Sequence, residues 1–208
     1  MNLKELRINK YCHIKNNKVI IDGNIVFDDN EATDLKSFTK TSYRNLKPGY
    51  NKFFKMDDIS KLAFIASEFL INYDEKVMLE EDTAIVLSNS HSTLITDEKH
   101  QAGIEDYNNF FPSPSIFVYT LPNIMIGELS IRHKLKGENA FFIVENFNAE
   151  LIINHIKTLF LTNKSKYFIG GWVNHTENNY EAFLYLAGEE GSISHSPEEL
   201  TRIYNITR

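Results

Sequence analysis

The sequence predicts an α/β fold, a mixed β-sheet of about five strands packed against helices. Three features lead there. Apolar runs of strand length recur, stretches with helical spacing of apolar residues lie between them, and the two kinds alternate through most of the 208 residues, as when helices are laid against a sheet. No repeat or low-complexity linker breaks the alternation, so one folded unit over 1–208 is expected.

The elements follow in order. β-branched residues surround Asp22-Gly23, a hairpin turn dipeptide, in the first 28 residues. A short helix over 34–46 is stopped by Pro48-Gly49. Asp57 or Asp58 caps the next helix by accepting from a free first-turn amide, and Ile59, Leu62, Ala63, Ala66, Phe69 and Leu70 form its apolar face. TAIVLS (83–88) reads as a buried strand, and 97–110 as a polar helix ended by Pro112 and Pro114. Pro122 suits the first turn of a helix running to Leu135 and stopping at Gly137. AFFIV is a strand, 148–161 a long helix, KYFIGGW and EAFLYLA two more strands, and a short helix follows Pro197.

Composition narrows the function. A hydrophobic fraction of 42% with fifteen Phe supports a real core. A net charge of −6 with no basic stripe argues against nucleic-acid binding, which requires phosphate neutralisation. Cys12 is the only cysteine, so no internal disulfide forms. No signal pattern opens the chain and no apolar run reaches the ~18 residues of a membrane span, so a cytoplasmic protein is expected.

Most chemical groups have a plain account. HSTLITDEKHQAGIED gathers His91, Asp97, Glu98, His100, Glu105 and Asp106, but its histidine spacing fits no metal motif and a solvated helix face explains it. Cys12 and His13 are neighbours on a strand and point to opposite faces, which prevents them sharing a proton. Gly170-Gly171, placed at a strand end, lacks a phosphate-loop spacing and reads as close packing or a bend. GEEG at 188–191 is a loop. No cofactor or metal site is expected.

FFIVENFNAE (141–150) is different: a strand feeds a turn and then a helix, an arrangement that can display a nucleophile, yet the turn carries Glu145 and Asn146. Two segments resemble β-ketoacyl (3-oxoacyl-ACP) synthases. YNKFFKMDDISKLAFIASEFL (50–70) is similar to the stretch entering the early helix of that family, with its Met-Asp dipeptide. TLPNIMIGELSIRHKLKGEN (120–139) resembles the Pro-Asn … Gly-x-(Ile/Leu)-Ser-Ile-Arg … Leu-x-Gly-x-Asn run before the condensing nucleophile. In the family the active-site Cys follows the last of those glycines by nine residues, which falls on Asn146. A Gly-Gly pair follows about two dozen residues later, and Gly170-Gly171 has that spacing.

The resemblance implies a thiolase-like half, a single domain over 1–208 like the N-terminal half of a β-ketoacyl synthase. It also implies no catalytic residue. The family's thiolate attacks an acyl thioester, whereas the Asn146 amide, with Glu145 adjacent, cannot. The catalytic histidines belong to the family's C-terminal half, which 208 residues do not reach, and none of the seven histidines here matches them. The expected function is a non-catalytic accessory protein, like a chain-length factor, in fatty-acid, polyketide or aryl-polyene-type biosynthesis. Alternatives are an acyl-chain or small-ligand binding module and a subunit of a composite condensing or decarboxylating acyltransferase. Half of a two-half fold leaves an open face. The resemblance therefore implies a homodimer, or a heterodimer with a full-length ketosynthase, burying on the order of 2,000 Å², with acyl carrier protein as a further partner.

Overall fold

In a computed structural model, which describes residues 5–73 and 79–206, the chain opens with an antiparallel meander of β1 (Arg7–Lys15), β2 (Lys18–Ile21) and β3 (Asn24–Asp28). Its turns lie at Asn16-Asn17 and Asp22-Gly23, all four residues at positive φ, a conformation cheap for Asn, Asp and Gly that matches strand twist. The second turn is the expected one. The first had its signal in the asparagine pair.

α1 (Leu35–Leu46) starts at Asp34, whose Oδ1 accepts from the Ser37 amide at 2.7 Å, and stops where Lys47 turns left-handed at φ 49°. α2 (Asp58–Asn72) is capped by Asp57, which accepts from the Ser60 amide at 3.0 Å. The sequence pattern marked one apolar face on α2, but nearly every residue is buried because α2 lies between the sheet and helices outside it. Glu68, on its far side, is buried and paired with Arg132, 2.5 Å from Nε to Oε1.

β4 (Ala84–Asn89) leads to α3 (Leu94–Ala102), the short α4 (Pro114–Val118) and α5 (Ile124–His133). The polar helix expected over 97–110 is thus displaced: it begins at Leu94 and ends at Gly103, with only a single helical turn at Tyr107–Asn109 beyond. Pro114 does not end a helix. It opens α4, where its missing amide hydrogen costs nothing and Ser113 supplies the cap. α5 begins two residues after Pro122 and stops at Lys134 in the left-handed region, not at Gly137. Gly137 serves another purpose: a Cβ there would lie 2.3 Å from the Asp82 carbonyl oxygen, so only glycine lets the chain press against the start of β4 and enter β5 (Asn139–Ile143).

α6 (Ala149–Leu161), β6 (Phe168–His175), β7 (Tyr180–Gly188), the two-residue β8 (Ile193–Ser194) and α7 (Pro197–Ile206) complete the order. The sheet has eight strands where the sequence suggested about five, because the first 28 residues supply three and β8 adds a two-residue pairing. The order is β3–β2–β1–β7–β6–β4–β5, with β8 pairing the start of β1. β4 is parallel to both β5 and β6, while β7 is antiparallel to β6 and β1.

Strand alternation sorts the core into two layers. Cys12, Ile14, Ile85, Leu87, Ile169, Val173, Leu184 and Leu186 face α1, α2 and α5. Tyr11, Val86, Phe168, Trp172, Phe183 and Tyr185 face α6 and α7. The bulge between Ile8 and Lys10 shifts the alternation by one, so Ile8 joins the second layer. Gly170-Gly171 lies inside β6, not at its end. A Cβ on Gly170 would come within 2.4 Å of the Tyr185 ring, and one on Gly171 within 2.1 Å of the Phe183 carbonyl oxygen. Close packing, and not a bend, requires the pair.

Candidate functional site

The parallel strands β4, β5 and β6 end together, and the loops after them collect at one end of the sheet, where open α/β sheets form crevices. Past β5 the pairing continues for one more bond, from the Val144 amide to the Asn89 carbonyl at 2.8 Å. The chain then turns through Glu145, Asn146 and Phe147. Asn148 caps α6, its Oδ1 accepting from the Leu151 amide at 2.9 Å. Glu145 and Asn146 are both exposed, and Asn146 does not adopt a positive φ.

An open depression of about 640 Å³ lies over this turn, lined by residues 144–150 together with Pro197, Glu198 and Thr201 of α7. Its floor is apolar, from Val144, Phe147, Ala149 and Pro197, and three carboxylates, Glu145, Glu150 and Glu198, stand around it. This set can hold a neutral or cationic group by hydrogen bonds. It offers no thiol.

Phe147 fixes the turn. Its ring stacks on Tyr204 of α7 at 4.2 Å and meets Phe183 edge-on at 5.6 Å. Tyr204 is held in turn, donating from its hydroxyl to Glu181 Oε2 at 2.8 Å and stacking on His13. His13 Nε2 lies 2.8 Å from Glu181 Oε1, and Lys15 Nζ lies 3.3 Å from the same oxygen. Burial alone would raise the Glu181 carboxyl, but His13, Tyr204 and Lys15 hold it down at about 2. Sequence reading did not find this group, because His13 and Glu181 lie 168 positions apart. The one signal was the polar residue His13 within the buried run Tyr11–Ile14 of β1.

The other candidates are scattered. Cys12 and His13 do face opposite layers, and Cys12 is fully buried, which pushes its thiol far above the ordinary value. Of the polar run after β4, His91, Glu98, Glu105 and Asp106 are exposed, while Asp97 and His100 are half-buried. Thr96 Oγ1 donates to Asp57 at 2.9 Å, which ties α3 to the start of α2. Among the described residues no three His, Cys, Asp or Glu side chains are grouped to hold a metal ion.

No family model matches the chain, and no curated protein matches it. Solved structures do. The ishigamide ketosynthase/chain length factor is similar at TM-score 0.66 and 15% identity, over 88% of this chain and 62% of that one, so the chain spans under two thirds of its length. A chain of the ketosynthase ApeO in complex with its chain length factor ApeC from Xenorhabdus doucetiae is similar at TM-score 0.57 and 13% identity, over 98% of this chain and 92% of that one. A chain of AntDE:AntF, a type II PKS acyl-carrier protein in complex with its ketosynthase bound to the hexaketide, is similar at TM-score 0.55 and 14% identity, over 89% and 63%. The mixed sheet between two helical layers is the thiolase-like fold of the ketosynthase and chain length factor structures.

Proposed function

We propose that the chain is a non-catalytic, chain-length-factor-like accessory protein of polyketide, fatty-acid or aryl-polyene-type biosynthesis, folded as one ketosynthase N-terminal-like domain. The observation that carries this reading is Asn146. It stands exposed in the turn between β5 and α6, where the family resemblance calls for the condensing Cys, and it has no thiol to form an acyl-enzyme. The fold likeness to ketosynthase and chain length factor structures supports the pathway. The protein works in the cytoplasm.

Its partner is a full-length ketosynthase or a second copy of the chain, with acyl carrier protein as a further contact. Two surfaces support an interface. β5 ends the order of the sheet, with Ile143 at its end 55% exposed. Residues 107–127 contain no charged side chain, and Tyr107, Phe110, Phe111, Phe117, Val118 and Leu121 are exposed within them, an apolar concentration characteristic of interaction surfaces. Affinity purification at native expression level, followed by mass spectrometry of what elutes, tests the proposal. A ketosynthase or acyl carrier protein in the eluate supports it. A lone chain that stays monomeric at micromolar concentration in light scattering overturns it.

A second reading draws on the depression over Asn146: a ligand-binding module whose floor takes a short apolar group. The carboxylates around the floor oppose a free fatty acid there, so its occupant is neutral or cationic, and a neutral acyl amide is the probe of choice. Saturable binding of neutral acyl amides by the isolated chain, without any protein partner, would favour this reading.

A further inference from the structure

We propose that Ser90 and His91, in the loop after β4, form a nucleophile–base pair that accepts an acyl group from an activated ester or thioester. Ser90 Oγ lies 2.6 Å from His91 Nδ1, within proton-transfer reach. Adjacent residues on a strand cannot make this contact, which is why Cys12 and His13 do not. Ser90 and His91 lie just past the end of β4, and the chain bends at once through Ser92 at φ 50°, so both side chains turn to the same side.

The surroundings hold the serine in place. Asn174, near the end of the neighbouring strand β6, accepts from the Ser90 amide at 3.3 Å and has the same Oδ1 3.1 Å from Ser90 Oγ. The hydroxyl has one proton and two acceptors within reach. When His91 carries its proton on Nε2, Nδ1 is the nearer acceptor. The position is also a favourable one: β4 lies between its parallel neighbours β5 and β6, at the end of the sheet where the chain departs toward α3–α5 on one face and α6 on the other.

The step balances within the pair and the acyl donor. Ser90 Oγ attacks the carbonyl carbon as its proton passes to His91 Nδ1. The bond from that carbon to the leaving sulfur or oxygen breaks, and the proton on Nδ1 goes to the leaving atom. Ser90 is left as an ester and the donor as a free thiol or alcohol, with no oxidation or reduction. The inference does not rest on the accessory reading, which concerns condensation at Asn146 and the choice of partner.

The test treats the isolated chain with p-nitrophenyl butyrate, following nitrophenolate release and locating the adduct by peptide mass spectrometry. One butyryl group on Ser90 is expected, absent in Ser90→Ala. His91→Gln is expected to slow acylation about 100-fold or more. Circular dichroism and thermal melting of both variants separate loss of chemistry from loss of fold. No adduct on Ser90, adducts spread over lysines, or wild-type rates in folded His91→Gln would each overturn the proposal. These outcomes leave the partner experiment untouched, so the two failures are distinguishable.

Discussion

Replacing Asn146 with Cys converts an exposed amide in the turn after β5 into an exposed thiol, while Cys12 stays fully buried in the first core layer. Iodoacetamide is therefore expected to label Asn146→Cys once and to leave the native protein unlabelled until denaturant is added, as read by intact mass. Labelling of the native protein at Cys12 would contradict the packing of β1. At Gly170 the constraint is space. A methyl group directed at the Tyr185 ring from 2.4 Å has nowhere to go, so Gly170→Ala is expected to cost ~1–3 kcal/mol in urea unfolding. Glu68 of α2 is paired with Arg132 of α5. Arg132 reaches both carboxylate oxygens, at 2.5 and 3.1 Å, and Glu68 is buried. Arg132→Met leaves that carboxylate without its cation and is expected to lower stability by about 3 kcal/mol.

α7 is the element that shapes the site. It contributes Pro197, Glu198 and Thr201 to the depression and, through Tyr204, seats Phe147 of the turn. Tyr204→Ala removes the stack on Phe147, the stack on His13 and the bond to Glu181. Faster amide exchange is expected along α7 and at residues 145–148, while the strands keep their protection. The same network makes the docking of α7 sensitive to acid. Glu181 is held at about 2 in the folded protein, below the ordinary 4.5. Its contribution is therefore present above the unfolded value and is lost as pH falls from about 4.5 toward about 2. His195, lowered by burial from 6.5 to about 4, acts in the same direction, since its contribution is lost as pH falls between those two values. Glu181→Gln is expected to flatten the acid limb of a stability–pH curve below pH 4.5 and leave the limb between 6.5 and 4.5 in place.

For the whole molecule, the open side of β5 and the uncharged run 107–127 set the expectation of an oligomer. Sedimentation or light scattering should report a dimer with itself or with a ketosynthase, stabilised by an interface on the order of 2,000 Å². Charged substitutions at Phe110 and Phe111, both exposed, should dissociate it without changing the melting temperature of the monomer. Among the described residues no helix is long and apolar enough to cross a membrane.

Local chemistry was written in the sequence. Asp22-Gly23 and Asp57 act within three or four residues of themselves, so the turn and, to within the choice of Asp57 or Asp58, one helix cap could be read from spacing alone. Asn148, read as the first residue of its helix, is instead its cap. Strand periodicity likewise put Cys12 and His13 on opposite faces. The Asn146 turn was legible for the same reason: a short apolar strand runs directly into a capped helix. Contacts between distant segments were not. That Gly137 presses against Asp82, that the Gly170-Gly171 pair sits mid-strand to admit Tyr185, and that α2 is enclosed on nearly all sides depend on which strands become neighbours. The same holds for the seating of the turn by Tyr204, Glu181 and His13 and for the contact of Ser90 with Asn174, 84 positions apart. Sequence periodicity specifies faces and ends, but neighbours are chosen by the pairing order β1–β7–β6–β4–β5, which only tertiary packing of the whole sheet decides.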